Sequence, residues 1–148
     1  MKALSHHKLL FALLGILLLT VVAEGANLKV DCGKGGTIGA AIAKLSGRPT
    51  LGPNQITVTG ACHENVSVIS LDNLTLQVSK AGASISDASG GTLDTVVIAD
   101  SQRFAMNGFT INGSVNCADN AVCRTQGNTI RTHRWDGAYA TLGPTAIP

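Results

Sequence analysis

A repeating alternation of apolar and polar residues is the feature that most constrains the fold of this chain. In the segment from Gln55 to Ile69, Ile56 and Val58 alternate with threonines. After a break that contains a glycine, the alternation resumes at Val66 and Val68. This pattern predicts two short strands, each with one buried face, on either side of a bend. The segment therefore has the form of one coil of a solenoid.

The same two-strand form returns downstream, with apolar positions at Leu74, Leu76 and Val78, at Ala83 and Ile85, at Val96 and Ile98, at Phe104 and Met106, and at Phe109 and Ile111. Placing Ile56 over Leu74, and Leu74 over Val96, gives spacings of 18 and 22 residues. Placing Val66 over Ala83 gives a spacing of 17 residues. No helical pattern separates these strands, so the repeat predicts a β-solenoid rather than a sandwich.

The composition agrees with thin layers of β-branched side chains joined by tight corners. Aromatic residues make up only 3% of the chain, whereas there are 17 glycines. Valine, isoleucine and threonine favour strands, and glycine, asparagine and serine favour turns. We therefore predict an all-β fold.

One segment, Thr37 to Ser46, follows a helical period instead. Its apolar residues fall at i, i+3, i+4 and i+7, and are Ile38, Ala41, Ile42 and Leu45. Thr37 is a candidate N-cap and Gly47 lies just past the end. A short amphipathic helix lying across the first coil would cover its open core and strand edges. A surface helix of another α+β fold is the alternative.

Residues 1–25 read as a secretory signal peptide. Lys2 and Lys8 precede an apolar run from Leu9 to Ala23, which small residues follow. The run is 15 residues long, which is short for a membrane span of about 20 residues. An uncleaved N-terminal anchor is the alternative. With either, the body of the chain is exported, to the extracellular space, the periplasm or the cell envelope.

Signal removal changes the charge balance of the chain. After a cut following Ala23, nine basic and nine acidic residues remain. A net charge near zero gives no electrostatic basis for binding nucleic acid or, in the mature protein, a membrane.

We assign residues 26–130 to one domain. Residues 131–148 lose the alternation and hold the only Trp and the only Tyr, and we predict an irregular C-terminal tail.

Four cysteines, Cys32, Cys62, Cys117 and Cys123, all follow the signal segment. An even count in an oxidising compartment favours disulfides, for which three connectivities exist. Pairing each cysteine with its nearer neighbour, Cys32 with Cys62 and Cys117 with Cys123, closes the smaller loops at the lower entropy cost. A zinc site is the alternative, but the chain has no C-x-x-C spacing.

Several segments taken in order resemble a known superfamily. They are G-T-I-G-A-A-I-A-K-L from Gly36, I-T-V-T-G from Ile56, C-H-E-N-V-S-V from Cys62, N-L-T-L-Q from Asn73, F-T-I-N-G from Phe109 and G-N-T-I from Gly127. They resemble the opening coils of right-handed parallel β-helix proteins of the pectin lyase-like superfamily. The resemblance implies a right-handed parallel β-helix with a short N-terminal capping helix. Because these motifs are structural, they bear on fold and not on a catalytic site.

The resemblance implies two functions of different classes. Pectin-active members carry acidic residues, sometimes with calcium, or an arginine on their central coils. The methylesterase-type pattern of Gln-Asp followed by Gly-x-x-Asp is not found in this chain, so no catalytic residue can be carried over. The first function is that of a non-catalytic module that binds an extracellular or envelope polysaccharide. The alternative is an N-terminal fragment of a polysaccharide lyase or pectinesterase whose catalytic coils are absent.

Two aspartates form a candidate metal site. Asp72 and Asp94 each stand two residues before a predicted strand, so in the alignment above they occupy the same position in successive coils, about 5 Å apart. Two stacked carboxylates bind Ca²⁺, or raise one pKa for acid-base chemistry. The alternative is that both are solvated turn residues. No other cofactor is predicted.

His63 and Glu64 invite a catalytic interpretation, but no partner nucleophile is evident in the sequence. Glu64 is more simply a corner residue that caps backbone amides.

No apolar stripe comparable to that of the helix follows Ile130. The last coil would then leave strand edges open. We expect self-association through that end, or fraying from about Val115.

Overall fold

The computed structural model describes residues 25–47 and 52–131. Apart from Gly25 and Arg131, the predicted signal segment and the predicted tail lie outside these residues. The strands, in chain order, are β1 (Asn27–Asp31), β2 (Asn54–His63), β3 (Val66–Ile69), β4 (Leu74–Ser86), β5 (Val96–Ala99), β6 (Phe104–Asn107), β7 (Thr110–Asn112), β8 (Val115–Ala118), β9 (Cys123–Gln126) and β10 (Thr129–Arg131). A 3₁₀ turn (Cys32–Lys34) precedes helix α1 (Ile38–Ser46). The described part is therefore mostly β, and Arg131 belongs to β10 rather than to the tail.

Every strand pair in the two sheets is parallel. The larger sheet has seven strands, with the order β1-β2-β4-β6-β9 and with β7 and β10 continuing from β4. The smaller sheet has the order β3-β5-β8. Parallel strands need a crossover connection, and here the chain crosses to the smaller sheet and returns, as in β2, β3 and β4.

The predicted alignment of the repeats was wrong in register. Ile56 pairs with Leu76, 20 residues on, and not with Leu74. Val66 pairs with Val96, 30 residues on, and not with an alanine of β4. The nine-residue segment between β4 and β5 lengthens one repeat and shifts all later ones. The alternation of burial could not reveal this, because it shows which side of a strand is buried but not which strand lies beside it.

The inward side chains stack in columns between the two sheets. In the larger sheet one column consists of Ile56, Leu76 and Met106, each fully buried. In the smaller sheet a column consists of Val66, Val96 and Val115. Full burial of each such side chain stabilises the fold by about 1.5–3 kcal/mol. The outward residues of the same strands are consequently free to be polar.

Helix α1 agrees with its prediction at both ends. Its buried residues are Ile38, Ala41, Ile42 and Leu45. The Thr37 hydroxyl oxygen accepts a hydrogen bond from the Ala40 amide at 3.2 Å, and Gly47 follows the last turn. The helix contacts β1, β2 and β3 and packs into the same apolar core. No helix in residues 25–47 or 52–131 has the length and apolarity needed to cross a membrane.

A left-handed backbone position follows each strand of the smaller sheet. These positions are Ser70, Asp100 and Asp119, with φ of 52°, 47° and 49°. They stack, because the Ser70 amide donates to the Ala99 carbonyl and the Asp100 amide donates to the Asp119 carbonyl. Aspartate tolerates this region better than most residues because its side chain can bond locally.

Both predicted disulfide pairs are confirmed. Cys32 and Cys62 join the 3₁₀ turn to β2, with their Cα atoms 5.1 Å apart. Cys117 and Cys123 join β8 to β9, with their Cα atoms 6.5 Å apart. Cys117 lies in register with the buried Ile98 and Cys123 with the buried Phe104, so the second bridge connects the two sheets from their inward sides, with both cysteines half-buried. The disulfides indicate an oxidising environment.

Candidate functional site

Two polar rows run across the outer side of the larger sheet, and we call them together the polar face. The first row is Asn27, Gln55, Thr75, Ala105 and Arg124, and the second row is Lys29, Thr57, Gln77, Asn107 and Gln126. These residues alternate with the buried column of Ile56 and Leu76, so their side chains point outward. Neighbours within a row stand on strands about 4.7–4.9 Å apart.

Thr57 lies at the centre of the polar face and orders two amides. Its Oγ1 accepts hydrogen bonds from Gln55 Nε2 at 3.2 Å and from Gln77 Nε2 at 3.5 Å. The hydroxyl proton of Thr57 then remains to be donated to a ligand. Beside the face, Thr59 Oγ1 donates to Ser79 Oγ at 2.8 Å. The middle of the face is therefore an ordered set of hydroxyl and amide groups.

The chemistry of the polar face suits a ligand that both donates and accepts hydrogen bonds. Hydroxyls and primary amides do both, and the cations, Lys29 and Arg124, stand on the two outermost strands. The Phe side chains in the described part of the chain, Phe104 and Phe109, are buried, and that part contains no Trp or Tyr. Recognition by the described face would therefore rest on hydrogen bonds and not on ring stacking.

A second pair of outer rows continues the face across β2, β4, β7 and β10. The row of interest is His63, Ser86, Asn112 and Arg131. His63 Nδ1 lies 3.2 Å from Ser86 Oγ, although the two residues are 23 apart in sequence. Sequence reasoning missed this contact, because only the strand register brings Ser86 beside the histidine.

The His63 and Ser86 pair lacks the features of an activated nucleophile. The Ser86 hydroxyl also donates to the Cys62 carbonyl at 3.2 Å, so its proton has a second acceptor. In the described residues no side chain hydrogen-bonds the other ring nitrogen of His63 to orient the ring, as a catalytic triad requires. His63 is exposed and Ser86 is half-buried on the outer side of the larger sheet. These features favour binding over acyl transfer.

The structure does not bring Asp72 and Asp94 together, so the predicted stack was wrong. Asp72 precedes β4 of the larger sheet and Asp94 precedes β5 of the smaller sheet. Asp72 accepts a hydrogen bond from the Gln102 amide at 2.6 Å. Asp94 accepts from Ser114 Oγ at 2.6 Å and from Asn116 Nδ2 at 3.1 Å. Each carboxylate is therefore used to order its own turn.

Asp87, which sequence reasoning did not single out, is the most strongly bound carboxylate in the described part of the chain. It accepts from Ser89 Oγ and Asn65 Nδ2, each at 2.6 Å. It also accepts from the amides of Ser89 at 3.0 Å and Gly91 at 2.5 Å. These donors, with the Ser89 hydroxyl first and the Asn65 amide second, hold the pKa of Asp87 well below its usual range. The cluster organises the segment between β4 and β5.

Glu64 caps backbone amides, as the sequence predicted. Its Oε1 accepts from the Ile38 amide at 2.7 Å and its Oε2 accepts from the Gly39 amide at 3.0 Å. A carboxylate at this position satisfies unpaired donors of α1 and complements the helix dipole. Glu64 also lies near Cys32 and Cys62, but a disulfide offers no thiolate to a metal.

Comparisons of the chain with protein-family models, with curated proteins and with solved structures found no match. The functional assignment therefore depends on the geometry of the described residues.

Proposed function

We propose that this chain is an exported, non-catalytic module of the pectin lyase-like type, a right-handed parallel β-helix whose polar face binds an extracellular or cell-envelope polysaccharide. The observation that carries the proposal is the polar face itself. It sets ordered hydroxyl and amide groups at a constant strand spacing across five parallel strands. An extended polymer with one hydroxyl-bearing unit after another matches such a repeating surface.

The topology supports the β-helix part of the proposal. Paired strands of the larger sheet are joined through a strand of the smaller sheet, as β2 is joined to β4 through β3. Connections between parallel strands of one sheet are right-handed in nearly all proteins. The α1 helix, which packs against β1, β2 and β3, stands where a capping helix would lie.

Two further features support export and binding without catalysis. The two disulfides form in oxidising compartments, and residues 1–25 have the pattern of a secretory signal. The aspartates that sequence reasoning paired are engaged in separate turns, which removes the basis for a calcium-assisted reaction at that pair.

The test is co-sedimentation of the purified oxidised chain with insoluble cellulose, de-esterified pectin gel and peptidoglycan sacculi. We expect one of these polymers to bind, and Thr57→Ala and Gln77→Ala each to weaken its binding by about 2- to 10-fold, the range that the loss of one hydrogen bond gives. Ser67→Ala is the matched control, because Ser67 is an exposed outward hydroxyl of β3 on the smaller sheet. Failure of all three polymers to bind, or an equal loss in the Ser67 variant, would contradict the proposal.

A further inference from the structure

Strand β9 presents a free edge within the described residues. It pairs with β6 on one side, and no described strand pairs with its other side. The Phe104 amide donates to the Val122 carbonyl, and the Gly108 amide donates to the Gln126 carbonyl. In a parallel ladder, these two bonds mean that the backbone amides and carbonyls of the even-numbered residues of β9 point toward β6. The amide and carbonyl of Thr125 therefore point away from β6, toward the free edge.

The opposite end of the sheet is not equivalent. Helix α1 contacts β1, β2 and β3 there and buries its apolar stripe in the core. A second copy that approached head to tail would meet this helix beside β1. A free edge at one end and a helix packed at the other favour contact between like ends.

We propose that two copies of this chain associate through β9, antiparallel about a two-fold axis, with Thr125 opposite Thr125 of the partner subunit. In this register the two threonines exchange both backbone hydrogen bonds. Arg124 then lies opposite Gln126 of the partner subunit, and both side chains are outward. Each guanidinium faces a neutral amide whose oxygen accepts hydrogen bonds, so like charges do not meet.

The symmetry limits the assembly to a dimer. A two-fold contact uses the same surface on both subunits, and once formed it leaves no further β9 edge exposed. Continued growth into a fibre requires two different, complementary ends. Since α1 covers the other end, the proposal specifies a closed dimer. It is independent of the polysaccharide proposal.

Sedimentation velocity of the purified oxidised chain over a range of concentrations tests the association. We expect a reversible monomer and dimer equilibrium. Thr125→Pro removes an amide that makes no bond to β6, so the monomer should keep its circular dichroism spectrum and its melting temperature while the dimer is lost. Thr125→Val retains the amide, and with it the dimer.

The register has its own test at residue 126. Gln126→Glu places a carboxylate opposite Arg124 of the partner subunit twice per dimer, and should tighten the dimer by about 2- to 30-fold. Gln126→Arg opposes two guanidinium groups and should weaken it. Any of three results would overturn the proposal: a monomer at every concentration, a dimer that survives Thr125→Pro, or equal effects of the two residue 126 variants on the dimer. A monomer with a Thr125 amide protected from exchange would mean that the chain covers its own edge, which also overturns it.

Discussion

Asp87 shows how one side chain can order a whole turn. Ser89 and Gly91 follow it in the segment between β4 and β5, and Asn65 reaches it from the corner after β2. Asn65 Nδ2 also donates to the Asp94 carbonyl at 3.0 Å, and its Oδ1 accepts from the Ala88 amide at 3.2 Å. The longest insertion among the repeats is therefore held by a hydrogen-bonded network rather than by apolar packing.

Asp87 should make stability depend on pH. Its folded-state pKa is lowered, so the ionised carboxylate stabilises the fold above its ordinary pKa of about 4, and this stabilisation is lost as the pH falls below that value. Urea unfolding of wild type and Asp87→Asn at a series of pH values measures it. We expect the variant to be less stable at neutral pH and to lose less stability in acid. Asp72→Asn is the control, and equal acid slopes for wild type and Asp87→Asn would contradict the assignment.

The elements are joined at corners that demand particular residues. Gly108 lies between β6 and β7 with φ of 82°, and Gly127 lies between β9 and β10 with φ of 63°. A Cβ at Gly108 would lie 2.8 Å from Val78 Cγ2, whereas a Cβ at Gly127 would meet nothing within 4 Å. The two corners thus share one backbone requirement but differ in the space around them.

This difference gives a matched pair of variants. Gly127→Ala should lower the free energy of unfolding by about 1–2 kcal/mol, the cost of a left-handed conformation in a residue with a Cβ. Gly108→Ala should lower it by more, because the contact with Val78 adds a steric cost. Urea denaturation of the two variants beside wild type measures both. An equal loss would show that the Val78 side chain moves aside without cost.

At the scale of the molecule, two parallel sheets enclose one apolar core and display polar side chains outward. Three carboxylates that the sequence suggested for catalysis or metal binding, Asp72, Asp94 and Glu64, are engaged in turns or a cap. Catalysis would instead require a positioned base, a nucleophile and donors for a developing charge.

We therefore expect no product release from polygalacturonate or its methyl ester, with or without Ca²⁺. The assay is run at several pH values on the wild type and on Asp72→Ala and Asp94→Ala. Both variants should resemble the wild type in lacking turnover. Calcium-dependent turnover that is lost in both variants would restore the two carboxylates as a site and contradict the non-catalytic proposal.

Local features of this protein were determined by the sequence alone. The period of the apolar residues and the Thr37 cap predicted α1 to within a residue, because helix formation depends on groups three or four positions apart. Both disulfides followed from short separations along the chain. The role of Glu64 as a cap for backbone amides was also predicted, although the amides belong to a helix 25 and 26 residues away.

Only the tertiary structure decided which strands are neighbours. The alternation of apolar and polar residues predicted that Ile56 and Val66 are buried. Which strands pair depends instead on the length of each turn, and the segment held by Asp87 makes one repeat longer than the others. That change separated Asp72 from Asp94. A second irregularity, the register shift between Val58 and Gly60 where β2 pairs with β4, brought Ser86 to His63. A side-chain pattern with a period of two is the same for every partner strand, so it carries no information about register.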